Sequence, residues 1–166
     1  MSDSQLFEDT FTLTSLNAQK YDRVSRIFGT STSADTTFTL DVNTELYPCS
    51  VGDQAQLVIA STLALDGTKD DERGWRGVGR GEATLADMFD YVCHGKVYRF
   101  EDGEGENMYA SCLLLRWNSV INGCLLTHAG CSKVFISFGG LLLYMEGPYK
   151  KMTPLRVDYV YLLMKK

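Results

Sequence analysis

Apolar and polar residues alternate along most of this chain, and the period that recurs is two rather than 3.6. The first such run covers residues 7–14 and sets Phe11 and Leu13 on one face. Residues 23–28 and 37–42 repeat the pattern, separated by a Gly/Ser/Thr-rich turn over 29–33. Leu46 and Tyr47 run into Pro48, which has no N–H to offer a central ladder. Residues 55–61 are apolar at successive positions, which predicts a strand buried on both faces. Residues 90–100 resume as a strand, with Gly95 read as a bulge or bend. Residues 134–138, Gly139-Gly140 and 141–147 predict a hairpin or a sharply bent strand. Residues 157–164 close the pattern as a strand apolar on both faces.

Three stretches interrupt the alternation. Residues 66–81 combine Asp66-Gly67, a charged run over 70–73 and glycines at 74, 77, 79 and 81, the composition of an exposed, mobile loop. Residues 83–88 fit one short helical turn, and 101–106 an acidic turn. With about eight strands and little helix, the expected fold is all-β, an antiparallel barrel in one domain over residues 1–166. Closure is the natural solution because it removes the edges that invite aggregation.

Bulk properties narrow the class. A chain of 166 residues buries roughly two-thirds of its unfolded surface without disulfide staples. The formal net charge of −5 is a poor overall balance for holding nucleic acid alone, because that binding rests on Lys and Arg neutralising phosphates. The first residues carry neither a basic nor an apolar signal region. The apolar stretch 112–126 is broken by Arg116, Asn118 and Asn122, and 157–164 is far shorter than the roughly 20 residues of a membrane span. No membrane role is expected. The cysteines (49, 93, 112, 124 and 131) are odd in number and scattered, as expected of reduced thiols in a reducing compartment.

Catalytic chemistry finds little to stand on. His94 sits inside a strand and reads as structural or surface. Cys124, His128 and Cys131 give three donors where structural zinc wants four in close pairs. Residues 77–81 are glycine-rich, but no strand precedes them and no helix follows, so the phosphate-cradling context is missing. The Ser and Thr residues have no base placed by a recognisable motif. Neither catalytic site, metal nor cofactor is expected. One stretch does fit binding: Lys20, Tyr21, Arg23 and Arg26 interleave cations with an aromatic at a strand entrance, a pattern that can follow a single nucleic-acid strand while stacking on bases. An ordinary solvated β face is the alternative.

The strands also carry longer motifs. Asp22-Arg23-Val24-Ser25-Arg26-Ile27, Leu40-Asp41-Val42-Asn43 with Leu46-Tyr47-Pro48, and residues 57–63 with Asp66-Gly67-Thr68 come first. Residues 85–92, Gly95-Lys96-Val97-Tyr98-Arg99-Phe100, residues 137–142 and residues 160–166 follow in order. Together, from about Leu6 to Lys166, they resemble the family of the eighth, small subunit shared by eukaryotic nuclear DNA-directed RNA polymerases I, II and III. The resemblance implies an eight-stranded antiparallel barrel of OB type and a noncatalytic, peripheral place docked mainly on the largest subunit. It implies a location in the nucleus, including the nucleolus, and nonspecific contact with single-stranded DNA through a region corresponding to residues 16–40. The rival reading is a free-standing single-strand-binding OB module, against which the acidic balance weighs.

The chain departs from the family at Cys93-His94, where Met-Tyr is more usual, and over residues 109–132, which form an atypical insert. That insert reads as a translated intron. The codons of Met108-Tyr109-Ala110 contain GTAYGC, a splice donor, and Cys131-Ser132 can be encoded as TGC-AGY, which supplies a CAG acceptor. Excision keeps the frame and joins Asn107 to Lys133 through an isoleucine. A genuine surface loop is the alternative, since loop length costs little. Its Leu113, Leu114, Leu115, Trp117, Ile121, Leu125 and Leu126 would then be an apolar patch in want of a partner.

Overall fold

The computed structural model describes residues 4–18, 22–65, 83–101 and 131–166. Eight strands form one closed barrel, and every pairing in it is antiparallel. The first half supplies β1 (Gln5–Asn17), β2 (Val24–Ser31), β3 (Thr37–Asn43) and β4 (Gln54–Ala60). The second supplies β5 (Tyr91–Glu101), β6 (Cys131–Phe138), β7 (Leu141–Pro148) and β8 (Tyr159–Lys165). Around the barrel they run β1-β2-β3-β7-β6-β5-β8-β4, with β4 returning to β1. The architecture is the one expected from the alternation, and it is consistent with the OB type.

Two long strands make closure geometrically possible. β1 pairs with β4 over Gln5 to Thr12 and with β2 over Phe11 to Asn17. β5 likewise leaves β8 for β6 at Lys96, which pairs with both. Each therefore turns from one neighbour to the next along its length, the stagger a barrel requires.

Inward-facing residues fill the interior: Phe11, Leu13, Ile27, Phe38, Ile136 and Met145 are all buried. Phe11 and Phe38 meet edge to face, with centroids 4.8 Å apart and planes at 84°. A second core lies outside the barrel wall. Val58 and Ala60 of β4 and Tyr161 and Leu163 of β8 pack beneath Leu63 and the 3-10 turn Leu85–Met88. This explains why β4 and β8 are apolar on both faces: one face lines the barrel and the other is roofed. The turn starts where Thr84 donates its backbone N–H to Asp87 Oδ2 at 2.7 Å.

The structure corrects several local readings. The turn expected over 29–33 begins later, because β2 continues to Ser31 and Gly29 pairs with Phe38. Gly29 is in the strand so that the Phe38 ring can lie over it: an added Cβ would meet Phe38 Cε1 at 2.3 Å. Gly95 has the same task under Phe138, and the bulge of β5 falls instead between Val97 and Arg99. Gly139 and Gly140 both take positive φ, so β6 and β7 form a tight hairpin. The helix α1 (Tyr149–Met152) and the 3-10 turn Thr153–Leu155 were not expected; a single turn is too short to show a period. β6 includes Cys131 and Ser132, the last two residues of the segment set apart in the sequence. The expected loop over 66–81 and the rest of the insert lie outside the described residues.

Candidate binding face

Of the basic strip, Lys20 and Tyr21 lie outside the described residues, whereas Arg23 and Arg26 are placed. Arg23 precedes β2 with φ of 64° and is largely exposed, its Nε 3.4 Å from Glu45 Oε1. Arg26 points outward from β2 and grips Asp41 of β3 with both ends of its guanidinium, Nε to Oδ1 at 2.7 Å and Nη2 to Oδ2 at 3.0 Å. Asp41 Oδ2 also accepts the backbone N–H of Leu142 at 3.4 Å. The fold therefore sets both arginines against carboxylates. The pairing across β2, β3 and β7 that creates this arrangement is nonlocal, and no sequence spacing announces it.

The alternation that fills the barrel also builds its outer surface. In-register pairing lays Phe28 beside Thr39, Thr39 beside Tyr144, Tyr144 beside Phe135, and Phe135 beside Arg99. The ring centroids of Phe135 and Tyr144 are 5.0 Å apart, Tyr98 is 6.1 Å from Phe135, and the Arg99 guanidinium lies 5.7 Å over Phe135. In the next row, Leu142 pairs with Ser137, Ser137 with Lys96, and Lys96 with Tyr159. Lys96 Nζ stands 5.4 Å over the Tyr159 ring, and His94 stacks on the same ring at 5.7 Å with planes 4° apart. A bulge at Tyr98 opens a cleft of about 310 Å³ lined by Tyr98, Arg99, Phe100 and Arg156, the last lying 4.6 Å over Phe100. Sequence reading missed this face. The signal available was aromatic residues on both parities of 131–146, which marks two apolar faces without saying what each one meets.

On this face burial, with the bond from Tyr144 to Glu146, raises the Tyr144 hydroxyl; the other groups whose proton affinity is displaced sit elsewhere, at the barrel ends. Burial pushes the Cys49 and Cys93 thiols up, and Lys166 near Cys49 and the Tyr91 hydrogen bond to Cys93 offset this only in part. Burial likewise raises the hydroxyls of Tyr47 and Tyr91. At the opposite end, Lys151 of α1 reaches Asp9 Oδ2 at 3.2 Å and Asp35 Oδ2 at 2.8 Å. Cys131 donates to Glu146 Oε1 at 3.6 Å, while Cys124 and His128 lie outside the described residues. Among the described residues, no three His, Cys, Asp or Glu side chains are grouped to hold a metal ion. No helix among them is long and apolar enough to cross a membrane.

Fold and surface together define a class: a closed β barrel whose distinctive surface is an aromatic, cation-studded outer wall suited to binding. The comparison of sequences then gives the lineage. The model of the family described as RNA polymerase Rpb8 matches residues 8–119 and 127–166. The chain belongs to that family. It is 32% identical over 166 residues to a Schizosaccharomyces pombe protein named DNA-directed RNA polymerases I, II, and III subunit RPABC3, covering all of both chains. The Saccharomyces cerevisiae protein of the same name is also 32% identical, over 97% of each chain. An Arabidopsis thaliana protein named DNA-directed RNA polymerases II, IV and V subunit 8B is 34% identical, over 97% of this chain and 95% of the relative. The family match leaves only residues 120–126 uncovered inside the segment 109–132, a narrower departure than the motifs alone suggest.

Proposed function

We propose that the chain is a noncatalytic subunit common to nuclear RNA polymerases I, II and III, docked mainly on the largest subunit, in the nucleus and its nucleolus. One observation carries this reading: kinship over nearly the whole of both chains with proteins named as shared polymerase subunits. The site chemistry agrees. The thiols whose affinities move are moved upward by burial, away from the thiolate a nucleophile needs. Affinity purification of the tagged full chain, read by mass spectrometry, tests the role. Recovery of the largest subunits of all three enzymes is expected. Recovery with one enzyme alone overturns the shared role, and recovery with none overturns the subunit reading. The plant relative, named for polymerases II, IV and V, shows that the set of enzymes differs among relatives and must be read directly.

A second role, nonspecific contact with single-stranded DNA through residues 16–40, is supported by Arg23, which is 66% exposed at the mouth of β2. Binding of an oligonucleotide by the isolated chain should then weaken with salt. The Arg23→Ala and Arg26→Ala double variant should flatten the log–log slope by about 0.7 for each phosphate that an arginine no longer neutralises. An unchanged slope removes the strip from consideration.

We further infer that residues 109–132 derive from a retained intron. The family match to 109–119 and 127–132 counts against this. The support is Ser132: its side chain is fully buried in β6, and Oγ has no hydrogen-bond partner among the described residues. Splicing would place isoleucine at that inward position, in line with Val134, Ile136 and Phe138. Transcript reads that uniformly retain the segment would remove the inference.

A further inference from the structure

We propose that the outer wall made by β2, β3, β7, β6, β5 and the first residue of β8 is the surface by which this chain docks on a polymerase polypeptide, and that the partner offers an apolar surface with one carboxylate for Lys96. The proposal deepens the subunit reading and rests on it.

Solvent-facing parts of the same barrel show what an unpartnered wall looks like here. The outer side of β1 and the start of β4 is polar: Glu8, Thr10, Thr12 and Gln56, with Gln56 donating to Glu8 at 2.7 Å. The outer side of late β4 and of β8 at Tyr161 and Leu163 is apolar but roofed by the Leu85–Met88 turn. The third wall is apolar and open among the described residues. Phe28 is 37% exposed, Leu142 40%, Tyr98 54% and Tyr159 57%. Exposed aromatics beside Arg and Lys, running from β2 round to the first residue of β8, are the composition of a protein interface core rather than of a solvated sheet.

The charges on this wall decide the class of partner. Arg26 is matched by Asp41 and Arg99 by Glu101, whereas Lys133 stands in register with Glu146 without an ion pair among the described residues. Lys96 has no carboxylate partner among the described residues; it covers the Tyr159 ring. A polyanion needs several uncompensated cations along its path, since its affinity comes from neutralising phosphates. A wall whose arginines are compensated and whose spare cations are two separate ammonium groups, Lys96 and Lys133, suits a polypeptide instead, where aromatics supply the buried contact and a charge pair at Lys96 fixes register. Closure of the barrel adds a constraint: strands paired on both sides have no free edge for a partner strand, so docking must proceed face to face through side chains.

The test uses the full chain in cells together with intact polymerase. Phe28→Asp combined with Tyr159→Asp changes two exposed side chains, so the free chain should melt as the wild type does. Recovery of polymerase subunits should fall at least tenfold, whereas Thr12→Asp on the polar wall should leave it unchanged. Lys96→Glu alone should lower recovery several-fold. Undiminished recovery by the double variant overturns the docking face, and undiminished recovery by Lys96→Glu overturns the carboxylate assignment. Equal loss with Thr12→Asp overturns the face as well. If the double variant is unfolded, hydrogen exchange of the wild-type chain decides: amides of 96–99, 133–137 and 142–144 should gain protection in purified polymerase, and unchanged exchange there overturns the proposal. Loss of oligonucleotide binding without loss of polymerase would give the wall to nucleic acid instead. A wild-type chain that recovers no polymerase is a different result, the failure of the subunit reading itself.

Discussion

At the scale of single residues, the barrel depends on positions that carry no side chain. Gly29 of β2 and Gly95 of β5 each give an inward-leaning ring its place, Phe38 over one and Phe138 over the other. The two are not equivalent. A methyl at Gly29 would collide only with the Phe38 ring, whereas one at Gly95 would also meet the backbone oxygen of Ser137 at 2.5 Å. A ring can swing away, but a carbonyl held in a ladder cannot. Gly29→Ala should therefore cost about 1–3 kcal/mol in denaturant unfolding, and Gly95→Ala should cost more than Gly29→Ala. Phe38→Leu in the Gly29→Ala background should recover part of the loss, and the reverse order of costs would refute the comparison. Ser132 makes the opposite case, a side chain whose hydroxyl is buried without a partner. Relieving such a group is worth roughly 1–3 kcal/mol. Ser132→Val should accordingly raise the denaturation midpoint, as expected if an apolar residue belongs there. A lowered midpoint would show that the site is shaped for serine and would count against the intron.

Between elements, the short helix is tied to the barrel by buried Met152 and by the polar contacts of Lys151. Its ammonium sits between Asp9 of β1 and Asp35 of the β2–β3 turn, and Ser31 donates to the same Asp9 oxygen at 2.8 Å. Burial on its own would lower the Lys151 affinity for its proton, but hydrogen bonds from Lys151 to Asp35 and Asp9 and their charges outweigh it, so the value is raised. Burial on its own would raise Asp35, and the bonds from Lys151, Ser33 and Thr36 and the charge of Lys151 outweigh it, so the value is lowered. The signs define a window. A lowered carboxylate stabilises the fold above its ordinary value of 3.8, and that contribution is lost as pH falls through the folded value. A raised ammonium stabilises below its ordinary value of 10.5, and that contribution is lost as pH rises through the folded value. With side chains about a third exposed, solvent screening keeps the effect near 1 kcal/mol. Lys151→Met should lower urea stability by about that amount at neutral pH, with a smaller difference below about pH 4 and above about pH 10.5. A difference that stays constant across that range would mean that the lysine acts through packing alone.

For the molecule as a whole, what the sequence reveals and what it withholds divide along one line. Strand existence is local information, so the runs through Phe11, Ile27, Leu40 and Val134 could be read directly, as could the double-faced burial of β4 and β8. Register is not local. The meeting of Arg26 with Asp41, and of Phe28 with Tyr144 by way of Thr39, appears only when β3 turns out to neighbour β7, a strand about a hundred residues later. The expected basic strip was thus silent about the carboxylates that face Arg23 and Arg26, and the aromatic wall was legible only as apolar residues on both parities of 131–146, without the neighbours that make it a surface. The same seam is where closure is thinnest. β3 and β7 pair only over Thr37 to Leu40 and Leu143 to Glu146, whereas β6 and β7 pair along their whole length. Fewer ladder hydrogen bonds hold this seam, and the Arg26–Asp41–Leu142 contact continues it where the ladder stops. Local opening follows the weakest paired segment, so the amides shared by β3 and β7 should exchange faster in native-state hydrogen exchange than those shared by β6 and β7. Arg26→Ala should accelerate that exchange without a matching change between β1 and β4, on the far side of the barrel. Because the seam runs beneath the proposed docking wall, assembly should slow the same amides in the wild type. Equal protection at both seams in the free chain would mean that the barrel opens as one cooperative unit, with no weak joint for a partner to close.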